Sequence, residues 1–300
     1  MTSIQGQILK KYFQIQHFIS PFSIEVDIAK ERAGLEAASK MFKPIAKLKT
    51  EPVDVNGIPG EWITPPWVEG GRTILYIHGG YFMLGSIQSH RSLAGNIATA
   101  AKARALLIAY NLAPEHPFPA ALDDIYTAYI WLLEHGTRPR QVVVAGDSAG
   151  GCLVLSLMLI LREQGIVLPA AGICLSPATD LTMSGESWRT NAKKDLVVNP
   201  NIAAQVPSQY LQGSDPCMPL ASPLFADLYG LPPLLIQVGS TEVLLSDAIR
   251  FAERAEQAGV DVTLEIWPDM AHVWQFAARL LPEARQAIDR IGEYISRVSG

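Results

Sequence analysis

Cysteine, clustered positive charge and long apolar runs are all scarce in this sequence. The three cysteines, Cys152, Cys174 and Cys217, are odd in number and the first two lie in apolar runs, so a disulfide framework is not expected. The net charge is −5 and no block of Lys and Arg occurs, which argues against nucleic acids and anionic membranes as partners. We therefore expect the chain to act on a small, neutral or apolar molecule.

The apolar runs are too short for a membrane span. The longest, CLVLSLMLIL, has about half the length that a helix needs to cross a bilayer. The N-terminal stretch MTSIQGQILKKYFQIQHF has lysines after its first apolar positions and lacks the continuous apolar core and cleavage site of a signal peptide. A soluble, cytoplasmic protein is the expectation.

Short β-rich runs alternate with helical patterns over most of the chain. The runs cover 72–78, 105–110, 141–146, 171–175, 234–239 and 262–267, and the helical patterns cover 89–102, 120–135, 149–164, 246–258 and 282–297. Before them, an Asn-Gly pair in PVDVNGIPGEWITP predicts a hairpin, and residues 1–45 have helical spacing interrupted at SPFS. Apolar strands separated by helices indicate a parallel sheet covered on both faces, with ligands bound at the carboxyl ends of its strands.

The segment VVVAGDSAGG places Ser148 between an apolar strand and an apolar helix. The pattern G-x-S-x-G alone is weak evidence, and the strand, turn and helix around it make it diagnostic. Gly146 and Gly150 leave room for a strained turn that puts the serine hydroxyl at the helix N-terminus. This context predicts a nucleophilic serine, the alternative being a helix start without a chemical role.

A nucleophilic serine needs a base that is itself oriented by a third group. His272 lies in the loop after the last predicted strand, where strand ends converge near Ser148. Glu242 and Asp247 both follow the preceding strand. Asp247 stands at an apparent helix start, where a carboxylate complements the helix dipole, whereas Glu242 lies in the loop and has no such role. We therefore favour Glu242 as the acid and keep Asp247 as the alternative.

Several motifs in one order make the chain resemble the hormone-sensitive lipase family of α/β-hydrolases, which includes the bacterial family IV esterases. They are HGGYFMLGS, YNLAPEHPFPAALDD, GDSAGG, SPATDL and MAHVW. The resemblance extends from roughly Glu51 to the C-terminus, and it implies an α/β-hydrolase fold: a mostly parallel, twisted, eight-stranded sheet flanked by helices. We expect one domain over 1–300, with a helical cap formed by about 1–45 and 184–225.

The resemblance also implies an activity and a set of catalytic residues. It makes Ser148 the nucleophile and His272 the base, with the acid at the first position of a D-P-L-x-D-E motif. That position is Glu242 in EVLLSD, as in a subgroup with glutamate in place of the more usual aspartate. The implied enzyme is a carboxylesterase that hydrolyses short- to medium-chain monoesters through an acyl-enzyme. No cofactor or metal is expected, since no His, Asp or Glu cluster has ligand spacing.

The oxyanions of acyl transfer require preorganised N–H donors. Ala149 follows the nucleophile, and the turn after the strand 72–78 supplies Gly79, Gly80 and Tyr81. The family turn usually reads H-G-G-G, so Tyr81 replaces the third glycine; it keeps an N–H but adopts φ > 0 only at a cost. We expect the two glycines to take any unusual dihedrals, Tyr81 to have ordinary ones with its ring turned from the substrate, and His78 to shape the turn by hydrogen bonding.

The substrate pocket and the partners are less constrained by the sequence. Apolar candidates for the pocket, each of which could equally belong to an ordinary core, are Phe18, Phe22, Met83, Leu84 and Trp188. The expected partner is a small-molecule ester, and the family's habit of pairing edge strands leaves a homodimer through about 262–267 as an open alternative to a monomer.

Two other functions remain open on the same scaffold. Some relatives have lost the catalytic histidine and act as hormone receptors, against which Ser148, Glu242 and His272 occur together here. The same triad could instead hydrolyse amides or peptides, and matched ester and anilide substrates distinguish the two reactions.

Overall fold

A single eight-stranded sheet forms the centre of the molecule. The computed structural model describes residues 2–19, 25–69 and 71–299, without the side chains of residues 9, 10, 13 and 16–19. The strands are β1 Lys49–Val55, β2 Ile58–Thr64, β3 Thr73–Ile77, β4 Arg104–Ile108, β5 Val142–Asp147, β6 Ala171–Leu175, β7 Leu234–Gly239 and β8 Val262–Trp267. The helices are α1 Ile4–Ile19, α2 Ile28–Ser39, α3 Ile87–Ala100, α4 Ala120–Glu134, α5 Ala149–Glu163, α6 Ser187–Thr190, α7 Pro200–Ala203, α8 Leu245–Gln257 and α9 Pro282–Val298.

The sheet is antiparallel at one edge and parallel elsewhere. Its strand order is β1-β2-β4-β3-β5-β6-β7-β8, and β2 pairs antiparallel with both β1 and β4. The predicted Asn-Gly turn joins β1 to β2, with Asn56 at φ 53° and Gly57 at φ 89°, as hairpin turns with two left-handed residues require. The α/β fold with a mostly parallel eight-stranded sheet is thereby confirmed.

Helices cover both faces of the sheet because its central strands are apolar on both sides. Along β3, Leu75 and Ile77 point into one core together with residues of α4, α5 and α8. Ile74 and Tyr76 point into the other core, which includes residues of α3 and α9. This two-sided burial explains why the strand sequences read as continuous apolar runs rather than alternating ones.

The strand register brings the chemically important loops to one edge. Asp147, the last residue of β5, pairs with Leu175 at the end of β6, and Gly239 at the end of β7 pairs with Trp267 at the end of β8. The loops that carry Ser148, Glu242 and His272 therefore leave the sheet on the same side, as expected for a parallel sheet.

The two segments outside the alternation each contain helices joined by irregular chain. In α2, Arg32 donates hydrogen bonds to the carbonyl oxygens of Met83 and Ala113. It also forms a bidentate ion pair with the Glu115 carboxylate. The insertion 184–225 contains α6 and α7. In none of the described residues does a helix combine the length and the apolar character that a membrane span requires.

Candidate active site

Ser148 occupies a strained turn between β5 and α5. Its backbone angles are φ 54° and ψ −120°, outside the ordinary regions for a residue with a side chain. Neighbouring chain leaves no room for side chains beside it: a Cβ on Gly150 would lie 2.1 Å from the Ile77 carbonyl oxygen, and one on Gly146 would lie 2.6 Å from that of Gly150. The glycines therefore permit the turn that holds the serine at the helix N-terminus, as predicted.

His272 is paired with Glu242. The two atoms in contact are His272 Nδ1 and Glu242 Oε2, 2.7 Å apart, and the glutamate side chain is fully buried. The other carboxylate oxygen, Oε1, accepts hydrogen bonds from Ser176 Oγ at 2.8 Å and from the Gly239 N–H. Glu242 is thus held in one orientation, and it orients the imidazole in turn.

Glu242 also sets the acidity of His272. Burial by itself lowers the pKa of this imidazole, but the hydrogen bond to Glu242 and its charge outweigh burial, with further contributions from Asp195 and Asp147. The net effect raises the pKa of His272 above its ordinary value. The imidazolium is therefore stabilised relative to a histidine in water.

The end of β6 joins the serine to the His–Glu pair. The Ser148 N–H donates to the Leu175 carbonyl oxygen at 2.8 Å, and the next residue, Ser176, bonds to Glu242 and accepts from the Val273 N–H at 3.4 Å. Sequence reasoning missed Ser176 as a residue of the site. Its signal was its position in SPATDL, directly after a predicted strand.

Asp247 is placed away from His272, contrary to the alternative acid assignment. It lies in the first turn of α8, fully buried, and accepts a hydrogen bond from the Asp180 N–H at 3.1 Å. Burial, followed by the charge of Asp180, raises its pKa well above the ordinary value. Its place in that first turn is the helix start that the sequence indicated.

The turn after β3 differs from the prediction in its backbone angles. Gly80 has φ 122°, as expected, but Gly79 is not in the positive-φ region, whereas Tyr81 at φ 56° and Phe82 at φ 62° are. The reason for Gly79 is close approach: a Cβ there would lie 2.4 Å from Asp147 Oδ2. Within the described chain, no backbone carbonyl accepts a hydrogen bond from the N–H of Gly79, Gly80 or Tyr81.

Tyr81 keeps its left-handed backbone because its surroundings compensate. The Leu84 and Met83 N–H groups both donate to the Gly80 carbonyl oxygen, which closes the turn. The Tyr81 hydroxyl accepts a hydrogen bond from the Asn199 N–H at 2.7 Å, and the residue packs against the small apolar cluster that includes Val198. Tyr81 is among the residues that line the cavity beside Ser148, and the orientation of its ring relative to a bound substrate stays a prediction.

Two further residues predicted around the oxyanion, Ala149 and His78, lie beside the nucleophile and in the turn after β3. Ala149 is the first residue of α5, where a helix leaves its N–H groups without intrahelical acceptors. His78 Nδ1 lies 2.9 Å from the Gly79 carbonyl oxygen. Burial and the neighbouring His90 lower the pKa of His78 to about 3, so its neutral ring donates this hydrogen bond and shapes the turn.

An apolar cavity opens beside Ser148. Its lining includes Tyr81, Phe82, Ser148, Ala149, Ala178, Asp180, Leu181, Met183, Trp188, Val198, Ala203, Val206 and Leu244. Of the predicted pocket residues, Trp188 is in this lining. Met83 and Leu84 are instead buried in the core, because their side chains pack under the turn. Phe22 and the side chain of Phe18 lie outside the described residues.

A buried aspartate, Asp195, supports the loop that carries Glu242, and sequence reasoning missed it. Its Oδ2 accepts from the Val243 N–H at 2.9 Å, and its Oδ1 accepts from the Val197 and Val198 N–H groups at 3.0 Å. Asn191 completes this support by donating to the Glu242 carbonyl oxygen at 2.9 Å. Neither residue has a sequence signal, since both lie in the irregular insertion. Over the described ranges, no three His, Cys, Asp or Glu side chains form a group that could hold a metal ion.

The chain is similar to known proteins that share its fold. Residues 74–276 match a family model described as alpha/beta hydrolase fold. An acetyl-hydrolase of Streptomyces hygroscopicus is 42% identical over 91% of each chain, and an esterase of Acinetobacter venetianus is 38% identical over 88% of this chain and 87% of its own. A crystal structure of an esterase from the bacterial hormone-sensitive lipase family superposes with a TM-score of 0.94 at 44% identity over the whole of both chains.

The chain belongs to the hormone-sensitive lipase family of α/β-hydrolases. It has the α/β-hydrolase fold, and it is a carboxylic-ester hydrolase. The resemblance drawn from its motifs is confirmed at the level of the family.

Proposed function

We propose that this esterase works by two-step acyl transfer with Ser148 as nucleophile, His272 as base and Glu242 as acid. The observation that carries the proposal is the 2.7 Å contact between His272 Nδ1 and a fully buried Glu242 carboxylate, on the strand-end edge where Ser148 stands. With Nδ1 bonded to the glutamate, Nε2 is the nitrogen left to take the serine proton. Ser148→Ala tests the proposal on a chromogenic butyrate ester, with loss of nearly all turnover as the expected result.

Each step assigns one duty to each group. Ser148 Oγ attacks the ester carbonyl carbon while His272 Nε2 takes its proton, and the imidazolium then protonates the departing alcohol oxygen. Water repeats the sequence on the acyl-enzyme and releases the acid. Glu242 stabilises the imidazolium in both halves, in agreement with the raised pKa of His272.

The proposed oxyanion donors are the N–H of Ala149 and the N–H groups of the turn Gly79, Gly80 and Tyr81. Support comes from the position of Ala149 at the start of α5 and from the absence of backbone acceptors for the three turn amides within the described chain. Such donors contribute about 3 to 4 kcal/mol each to lowering the barrier.

The proposed substrates are monoesters with short to medium acyl chains. The cavity beside Ser148 is apolar and bounded at its walls by bulky side chains, among them Trp188 and Phe82. One relative, 42% identical to this chain, is named an acetyl-hydrolase, and its similarity supports short acyl groups as substrates here. Initial rates on p-nitrophenyl esters from acetate to palmitate test this proposal: a maximum at octanoate or a shorter chain supports it, and a maximum at a longer chain contradicts it.

We further propose that about 1–45 and 184–225 form a cap on one domain that spans 1–300. Trp188, Val198, Ala203 and Val206 from the insertion line the cavity, so this segment covers Ser148. Arg32 of α2 bonds to the Met83 carbonyl oxygen, next to the oxyanion turn. Deletion of α1 and α2 should therefore change KM while leaving the midpoint of thermal unfolding nearly unchanged.

A homodimer through β8 is proposed on two features of that strand. β8 is the last strand of the sheet, and its Ile266 side chain is 45% exposed. An edge strand with an exposed apolar side chain is a surface on which a second strand can pair. Sedimentation velocity of the chain and of Ile266→Lys tests the proposal, with a dimer expected for the first and a monomer for the second.

A further inference from the structure

A buried cluster of polar side chains lies under the oxyanion turn. Asp147 Oδ1 accepts a hydrogen bond from the Tyr76 hydroxyl at 2.8 Å, and Asp147 Oδ2 lies 3.3 Å from His90 Nε2. Tyr76 comes from β3, His90 from α3 and Asp147 from the end of β5. All three are almost wholly buried, with at most 2% of their surface exposed.

The cluster touches both parts of the proposed catalytic apparatus. Asp147 directly precedes Ser148 in the chain. The Cα of Gly79 rests on the Asp147 side chain so closely that a Cβ there would lie 2.4 Å from Asp147 Oδ2 and 3.1 Å from Ser148 Cβ. The first glycine of the oxyanion turn therefore packs directly against the Asp147 carboxylate.

The groups around the carboxylate keep it ionised and fixed. Burial alone would raise the pKa of Asp147, but the charge and hydrogen bond of His90 and the hydrogen bond of Tyr76 hold the pKa below its ordinary value. Burial and the Asp147 charge raise the pKa of Tyr76 well above its ordinary value, so its hydroxyl remains a donor.

His90 is itself held from its other side. Its Nδ1 lies 2.7 Å from Ser89 Oγ, the side chain that closes the capping box at the start of α3. The Phe276 ring meets the imidazole edge to face at 5.2 Å, and the His78 ring lies at 5.3 Å. The carboxylate is thus tied to a helix start and to two strands at once.

Resting on the proposed function, we infer that Asp147, held by Tyr76 and His90, is a positioning residue that sets the distance between the oxyanion turn and Ser148. Catalysis by fixed N–H donors requires them to stand where the oxyanion forms, and a displacement of about 1 Å can cost on the order of 10²-fold in rate. The carboxylate touches no substrate; it acts through Gly79 on one side and through Ser148 on the other.

Two tyrosines provide a matched test. Tyr76 and Tyr129 are both fully buried, and each hydroxyl donates one hydrogen bond, Tyr76 to Asp147 and Tyr129 to the Val167 carbonyl oxygen at 2.7 Å, far along the chain from the turn. Tyr76→Phe and Tyr129→Phe should lose similar thermal stability. Only Tyr76→Phe should lower kcat, by about tenfold with KM changed less than about threefold, because a loosened turn weakens transition-state binding.

A second series varies the carboxylate. Asp147→Ala removes the carboxylate against which Gly79 packs, and it should lower kcat by about 10²-fold. Asp147→Asn keeps the shape and an acceptor for Tyr76, so it should retain at least about a tenth of the wild-type kcat. A trifluoromethyl ketone, which forms an oxyanion on Ser148, should lose affinity in each variant by the factor by which kcat/KM falls.

The outcomes separate this inference from the proposed function. If the wild-type chain hydrolyses the ester through Ser148 while Tyr76→Phe and Tyr129→Phe keep equal kcat, only the inference is overturned. The same holds if Asp147→Ala folds with unchanged kcat, or if the losses fall on KM alone. If Ser148→Ala keeps wild-type turnover, the proposed function itself fails. Should Asp147→Ala not fold, the tyrosine pair and Asp147→Asn still decide.

Discussion

His272 Nδ1 lies 2.7 Å from Glu242 Oε2, and both atoms belong to loops that leave neighbouring parallel strands at the same edge. The contact fixes the ring so that its other nitrogen is available for chemistry, and it accounts for the raised pKa of the imidazole. A glutamate can do this in place of an aspartate because its second oxygen is held by Ser176 and by the Gly239 N–H.

Glu242→Gln should lower kcat by about 10³- to 10⁴-fold with little change in KM, because the amide no longer stabilises the imidazolium that forms in the transition state. Asp247→Asn is the matched control, since Asp247 is equally buried and follows the same strand but makes no contact with His272. Steady-state rates on the butyrate ester measure both. A crippled Asp247→Asn enzyme beside a nearly normal Glu242→Gln enzyme would reverse the assignment of the acid.

The pH dependence should follow His272. Only the neutral imidazole can accept the serine proton, so kcat/KM should rise with pH through a pKa above 6.5, the ordinary value. Loss of the Glu242 charge should move this pKa down, and the residual activity of Glu242→Gln should therefore reach its plateau at lower pH. An unchanged midpoint in that variant speaks against Glu242 as the partner.

The same pair should contribute to stability with a definite sign. Because the folded-state pKa of His272 is raised, the charged pair stabilises the native state fully below pH 6.5, and this contribution is lost as the pH rises through the folded-state pKa. Urea unfolding of the wild type and of Glu242→Gln across this window measures it. We expect the difference in unfolding free energy between them to shrink as pH increases; a constant difference contradicts the linkage.

Tyr81 should contribute stability through its hydroxyl group. Tyr81→Phe leaves the buried Asn199 N–H without its acceptor and should lower the free energy of unfolding by about 1 to 3 kcal/mol. Tyr294→Phe is the control, because among the described residues the buried Tyr294 hydroxyl has no hydrogen-bond partner, so its removal should be neutral or stabilising. An equal loss of unfolding free energy in the two variants would show that the Tyr81 hydrogen bond does not stabilise the fold.

Trp188 should limit the length of the acyl chain. It lines the cavity, so Trp188→Ala enlarges the space beside Ser148 and should move the optimum toward longer esters. Trp131→Ala, a buried tryptophan of α4 outside the cavity lining, controls for loss of stability. A profile from acetate to octanoate that keeps its maximum in Trp188→Ala is inconsistent with this role.

The sequence predicts the central sheet well, and for a physical reason. Strands buried on both faces, such as 171–175 and 234–239, are continuous apolar runs whose bounds coincide with β6 and β7. Ser148, Glu242 and His272 each follow a predicted strand, and parallel strands place their carboxyl ends together. Because each of these residues follows a strand, its place in the sequence predicts that it lies at the carboxyl-terminal edge of the sheet.

The turn and the pocket resisted prediction because long-range contacts decide them. The left-handed conformation of Tyr81 is stabilised by Asn199, more than a hundred residues away, and no local rule indicates that contact. Met83 and Leu84 are as apolar as the residues that line the cavity, and the conformation of the turn places both side chains in the core. Asp195 and Asn191 support the Glu242 loop from an irregular segment without a periodic pattern.

The central claim is that Ser148 becomes acylated with the help of His272 and Glu242. Inactivation by a p-nitrophenyl phosphonate, followed by mass spectrometry of peptides, tests it most directly. The account predicts one phosphonyl group per chain, located on Ser148, with the rate of labelling reduced in step with kcat in Glu242→Gln. A label on another residue, or undiminished ester hydrolysis by Ser148→Ala, would contradict it.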